Sequence, residues 1–95
     1  MRPNQSLEPE YARAYNNRGR AYADLQEYER ATEDYDQVIE LHPAYVTAYY
    51  NRGLAYKELG EKEKAIADFE KLLTLTDDPE LQEQAKRQIE ELRQE

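Results

Sequence analysis

The side chains able to do covalent or acid–base chemistry are few in kind. There is no cysteine, and the one histidine, His42, sits between Leu41 and Pro43. A thiol nucleophile, a disulfide and a Cys-ligated zinc are therefore excluded. His42 at a helix junction reads as an exposed linker residue rather than a base or a ligand. An acidic run contains Glu27, Glu29, Glu33, Asp34, Asp36 and Glu40. Four of these (Glu29, Glu33, Asp36 and Glu40) fall at i, i+4, i+7 and i+11, which is one face of a helix. Carboxylates in such a line could hold a metal, but a solvated outer face is the simpler reading. No phosphate-binding loop and no Gly-x-Gly-x-x-Gly motif is present. The expectation is a protein that is not an enzyme, with no catalytic residue, no metal and no cofactor. What remains is recognition chemistry: arginines and asparagines, whose guanidinium and amide groups can hold carboxylates and peptide backbones.

The elements that position such groups must come from a chain of 95 residues, one small domain or a piece of a larger protein. Thirteen basic and 21 acidic residues leave a net charge of −8. That argues against a nucleic-acid partner, since phosphate binding needs a basic footprint. The chain is 36% charged and 39% hydrophobic, with a mean hydropathy of −1.15. The apolar residues recur regularly, which separates it from a disordered chain. No apolar run approaches the ~20 residues that span a bilayer, and Met1-Arg2-Pro3-Asn4-Gln5-Ser6 lacks the apolar core of a secretory signal. A membrane partner is not expected, and the location is expected to be cytoplasmic or is left open.

Displacing the chain by 34 residues aligns 12–45 with 46–79 without a gap and with 13 identities, among them Tyr15/Tyr49, Asn17/Asn51, Arg18/Arg52, Gly19/Gly53, Tyr22/Tyr56, Ala31/Ala65 and Asp34/Asp68. At about 100° per residue, Tyr15, Gly19 and Tyr22 share one side of a helix, and Ala31, Tyr35, Val38 and Ile39 make a second stripe. Ala65, Phe69, Leu72 and Leu73 repeat that stripe. Glycine in a helix interior costs ~1 kcal/mol relative to alanine. Its recurrence at 19 and 53 points to a close approach by a partner helix. Leu59-Gly60-Glu61 marks a turn with glycine at a left-handed helix end. Leu25-Gln26-Glu27 is the same turn without the glycine, and so carries slight strain. The spacing predicts five helices, over 9–24, 28–41, 44–58, 62–75 and 79–93. Pro9, Pro43 and Pro79 stand near helix starts, and Asp78 is placed to cap the last one.

The pattern Tyr15-x2-Arg18-Gly19-x2-Tyr22, Ala31-x3-Tyr35, Pro43 and its second copy Tyr49-x2-Arg52-Gly53-x2-Tyr56, Ala65-x3-Phe69 resembles the tetratricopeptide repeat family. Arg18 and Arg52 stand where that pattern has leucine, and Asp77 where it has proline. The resemblance implies an all-α solenoid: a flexible N-terminus at 1–8, repeat 1 at 9–43, repeat 2 at 44–78 and a C-terminal capping helix at 79–95. The last helix suits a cap, with Leu81, Ala85, Ile89 and Leu92 on one stripe and polar residues elsewhere.

In this family the first helix of each repeat lines a concave groove that holds extended peptides or partner helices, and the second forms the convex back. Charge follows that division. Residues 1–23 carry a net +2 and 44–60 carry +1, whereas 24–43 carry −6 and 61–79 carry −3. Opposite the buried Tyr-Gly-Tyr stripes lie Arg13, Asn16, Asn17, Arg20 and Asp24 in repeat 1. Their counterparts in repeat 2 are Thr47, Tyr50, Asn51, Leu54, Lys57 and Glu58. Arg13 and Arg20 could pair with a carboxylate bidentately, and Tyr50 and Leu54 would offer apolar contact with a polar handle. The expected partner is a protein or peptide, with an acidic segment or C-terminal carboxylate as a candidate ligand. Asn51 matches the second-repeat asparagine of the family's carboxylate clamp. However, Asn16 and Arg20 replace its first-repeat Lys and Asn, and Leu81 and Ala85 fall where a third repeat would supply a basic pair. The complete clamp is therefore not expected.

Arg18 and Arg52 point toward the tyrosine side rather than the groove, and Asp34 and Asp68 recur with them. The expectation is a pair of structural Arg–Asp contacts between helices; an anion site is the alternative. Of the nine tyrosines, Tyr15, Tyr22, Tyr35, Tyr49 and Tyr56 read mostly as repeat-core positions, and Tyr28, Tyr45 and Tyr50 as surface or junction residues. A stacking surface for single strands would need basic residues among them. Two repeats are few for a stable stack, so self-association through the uncapped N-terminal end, or a bare scaffold without a ligand, is the second reading.

Overall fold

A computed structural model describes the backbone of residues 3–95 and the side chains of residues 10–95. Among the described residues there are five α-helices and no strand: α1 (Pro3–Asp24), α2 (Tyr28–Leu41), α3 (Val46–Glu58), α4 (Lys62–Leu75) and α5 (Pro79–Gln94). Short turns force α1 and α2, and then α3 and α4, into antiparallel hairpins. The hairpins stack through α2 on α3, and α5 closes the stack on α4. The second helix of each repeat buries one stripe: Ala31, Tyr35 and Val38 on α2, and Ala65, Phe69 and Leu72 on α4. Ala85, Ile89 and Leu92 of α5 complete the C-terminal core.

The glycines of the first helices set the hairpin spacing. A Cβ on Gly19 would lie 2.7 Å from the Tyr35 ring, and one on Gly53 would lie 2.8 Å from the Phe69 ring. Only a residue without a side chain lets these rings lie against the first-helix backbone. The close neighbour is thus an aromatic side chain of the second helix rather than its backbone.

The two intra-repeat turns are copies of each other. Glu27 N–H donates to the Tyr22 carbonyl at 2.8 Å, and Glu61 N–H to the Tyr56 carbonyl at 2.9 Å. The residue between has positive φ in both, 64° at Gln26 and 77° at Gly60. A left-handed conformation at a residue with a Cβ costs roughly 1–2 kcal/mol, so the strain expected at Leu25-Gln26-Glu27 is located at Gln26. Asp78 caps α5 by accepting from Glu80 N–H at 2.9 Å, with Pro79 in the first turn.

Two boundaries differ from expectation by more than one residue. Helix α1 starts at Pro3, so Pro9 lies inside it and Pro3 takes the first position, where a missing N–H is harmless. Of the segment 1–8 expected to be flexible, residues 1 and 2 lie outside the described residues, while the backbone of 3–8 belongs to α1. Helix α3 starts at Val46 rather than 44. Pro43 stays in the connector, where its carbonyl accepts from the Tyr49 hydroxyl at 2.8 Å.

Gly53→Ala tests the spacing constraint. Helix propensity alone favours alanine by ~1 kcal/mol, yet overpacking against the Phe69 ring costs about 1–3 kcal/mol. The expected result is a lower thermal midpoint; a higher one would show that the ring yields.

Candidate functional site

The groove-side candidates on α1 fall on a clean stripe. Arg13, Asn17, Arg20 and Asp24 are spaced i, i+4, i+7 and i+11, and all four are exposed. Thr47, Asn51, Leu54 and Glu58 repeat the spacing on α3, with Thr47 and Glu58 exposed and Asn51 and Leu54 half-buried. Between the two helices lies an open pocket of about 280 Å³ lined by Arg20, Asp24, Asn51, Leu54 and Glu58 at its rim and walls. Ala23, Tyr28, Tyr35 and Ala55 complete it.

Three other candidates are placed differently. Asn16 is only 6% exposed. Its Oδ1 accepts from Asn51 Nδ2 at 3.3 Å, which ties α1 to α3. Asn16 lies one turn from Ala12 and from Gly19, both buried, and so faces the seam rather than the groove. Tyr50 is half-buried and meets Phe69 edge-on, with ring centroids 5.5 Å apart. Much of its ring belongs to the core. Lys57 turns toward the cap: its Nζ donates to Gln88 Oε1 at 2.9 Å and lies 3.6 Å from Glu91.

Tyr28 and Tyr35 were not among the groove residues expected from the sequence, where Tyr35 reads as core. The available signal is the difference between the repeats: Tyr35 carries a hydroxyl where its equivalent, Phe69, has none. Burial pushes the Tyr35 phenol up to about 12, with Arg20 pulling it down and Asp24 pushing it further up.

The arginines at the family's leucine positions lie on the other side of the first helices. Arg18 Nε and Nη2 donate to the two oxygens of Asp34, each at 2.8 Å. Arg52 holds Asp68 in the same bidentate geometry, at 2.8 Å twice. Arg52 Nη1 also donates to Asp36 at 2.7 Å, reaching back to the second helix of the preceding repeat. Each guanidinium stands between two tyrosine rings, Tyr15 and Tyr22 for Arg18, and Tyr49 and Tyr56 for Arg52. The hydrogen bond to Asp34 raises Arg18 above its usual value, and that to Asp68 does the same for Arg52. Burial pushes the Asp68 carboxyl up against the pull of Arg52. The copies differ in exposure. The Arg52 side chain is 19% exposed at the repeat junction, and that of Arg18 is 59% exposed at the N-terminal edge.

Elsewhere, Glu29, Glu33, Asp36 and Glu40 of α2 are exposed. Among the described residues no group of three or more His, Cys, Asp or Glu is placed to hold a metal ion. His42 is exposed, with its ring edge-on to Tyr45 at 5.5 Å. No described helix is long and apolar enough to cross a membrane.

Two stacked helical hairpins with a closing helix, and polar stripes on their first helices, define an α-helical repeat protein. A TPR repeat profile matches residues 19–60, and a tetratricopeptide repeat profile matches residues 46–79. The chain belongs to the tetratricopeptide repeat (TPR) family. It is similar to the first TPR domain of Spaghetti (RPAP3) bound to the HSP90 peptide SRMEEVD, with a TM-score of 0.80, 28% identity, and coverage of 87% of this chain and 64% of that one. It is also similar to the second TPR domain of human RPAP3 in complex with the HSP70 peptide SGPTIEEVD, with a TM-score of 0.78, 33% identity, and coverage of 86% and 66%. The chain thus spans just under two thirds of the length of these neighbours. No curated protein matches it significantly.

The Arg–Asp contacts predict an asymmetry between the repeats. Arg52→Leu leaves Asp68 buried without its partner and costs about 3–5 kcal/mol. Arg18→Leu, at the exposed edge, lowers the thermal midpoint by less. Equal losses from the two substitutions would contradict the account of the junction.

Proposed function

We propose that the chain is a non-catalytic interaction module that binds an extended peptide across the first helices of its repeats. Arg13, Asn17 and Arg20 of α1 form one wall, and Asn51 and Leu54 of α3 form the other. The single observation that carries this reading is the exposed Arg13–Asn17–Arg20 stripe, which has no role in the core and whose Arg20 lines an open pocket with Asn51 and Leu54. It gains support from the two structural neighbours, each solved with an acidic peptide bound.

The ligand favoured is an acidic segment or a C-terminal carboxylate. A guanidinium can bind a carboxylate through two parallel hydrogen bonds, and the asparagine amide can bond a peptide N–H and carbonyl together. The grip differs from the full family clamp. At the third-repeat positions this chain has Leu81, half-buried, and Ala85, buried, so neither supplies a cation there. The carboxylate then falls to Arg13 and Arg20.

Fluorescence anisotropy with labelled SGPTIEEVD tests the reading. Arg20→Glu is expected to weaken binding by about tenfold or more, equivalent to about 1.4 kcal/mol. Unchanged affinity would mean that the peptide uses another face.

Self-association is a second reading, favoured by the exposure of Arg18 and Tyr11 at the N-terminal edge. Its partner would be a second copy of the chain. Sedimentation across a concentration series would then give a mass that rises with concentration; a constant monomer mass would remove it.

A further inference from the structure

The pocket between α1 and α3 is more acidic than the stripe beside it. Asp24 is the last residue of α1 and Glu58 the last of α3, 34 positions apart, and both line the pocket. A carboxylate at a helix C-terminus opposes the helix dipole and is disfavoured there. The unfavourable placement occurs at the same point of both repeats. Among the described residues neither carboxylate has an ion-pair partner within 4.0 Å, although Arg20 stands one turn before Asp24.

Tyr35 supplies an independent observation. It comes from α2, on the far side of the hairpin, and reaches the pocket because Gly19 leaves room for its ring. The residue is 1% exposed. Its hydroxyl makes no hydrogen bond among the described residues, and no side-chain N or O atom described is both fully enclosed and unpartnered. Tyr35 lines the pocket, and among the described residues its phenol oxygen is neither hydrogen-bonded nor fully enclosed. In repeat 2 the same seat is filled by Phe69, so the ring suffices for packing and the hydroxyl is additional.

We propose that this pocket receives a lysine or arginine side chain of the bound peptide, a reading that rests on the peptide-binding function proposed above. The aliphatic stem lies against Leu54 and Ala23, as such stems do on apolar surface. The cation sits between Asp24 and Glu58, and the Tyr35 hydroxyl oxygen accepts a hydrogen bond from it. Arg20, on the same rim, holds the carboxylate that neighbours the basic residue. The preferred ligand is therefore an acidic segment containing one basic side chain, which differs in charge pattern from a purely acidic tail.

A lysine scan of the peptide SGPTIEEVD, with each residue replaced in turn, tests this by anisotropy. At least one lysine peptide is expected to bind about tenfold tighter than the parent, and the double variant Asp24→Asn, Glu58→Gln is expected to abolish that gain. Tyr35→Phe should reduce the gain. The double variant removes carboxylates from helix C-termini, so its thermal midpoint should be unchanged or raised, which separates lost binding from lost folding. If the parent binds but no lysine peptide binds tighter, or if the gain survives the double variant, the pocket assignment is overturned and the groove stands. If neither the parent nor any lysine peptide binds, the groove reading fails and the pocket falls with it.

Discussion

The structure depends on two places where a ring lies on bare helix backbone. Tyr35 over Gly19 and Phe69 over Gly53 leave no room for a methyl group. Each glycine sacrifices ~1 kcal/mol of helix propensity. Burying an aromatic side chain returns roughly 1.5–3 kcal/mol, so the exchange is favourable at both sites. Its larger consequence is geometric. Once the second helix is locked against one face of the first, the opposite face of α1 and α3 must look outward. Arg13, Asn17 and Arg20 are displayed because Gly19 is occupied from behind.

The charges follow from the same arrangement. Arg18 and Arg52 replace leucine on the side of the first helices that faces the second helices, and each takes a carboxylate partner there. Asp34 and Asp68, both nearly inaccessible, provide it in bidentate form. Asp36 adds a second carboxylate to Arg52, so one guanidinium joins α2, α3 and α4. At the C-terminal end Arg93 of α5 donates to Glu70, the residue equivalent to Asp36, at 2.9 Å. The capping helix thus reproduces the junction's ion pair with an arginine of its own. Among the described residues Arg18 pairs with the carboxylate of Asp34 alone, and its side chain is the more exposed of the two arginines.

Much of this was legible in the sequence because the repeat prints each constraint twice. The 34-residue offset located the helices, and the recurrence of Arg18 with Asp34 and of Arg52 with Asp68 indicated their pairing. The early start of α1 was not legible: residues 3–8 have no apolar stripe to mark a helix, and Pro9 reads as a boundary. Asn16 was assigned to the groove because the angular arithmetic of a single helix does not say where the neighbouring helix lies. It faces α3, and a buried amide there needed the amide of Asn51. Lys57 and Tyr50 have contacts the sequence did not show, since Gln88, Glu91 and Phe69 meet them from helices the local pattern cannot see. Tyr35 was hidden by being core and groove at once.

The claim that a peptide lies across α1 and α3 is tested most directly by a backbone-amide NMR titration of the protein with SGPTIEEVD. The account predicts that the largest shift changes fall at Asn17, Arg20, Asn51 and Leu54, with the outer face of α2 at Glu29, Glu33 and Glu40 unmoved. Changes concentrated on α2 and α4, with the first helices silent, would contradict it.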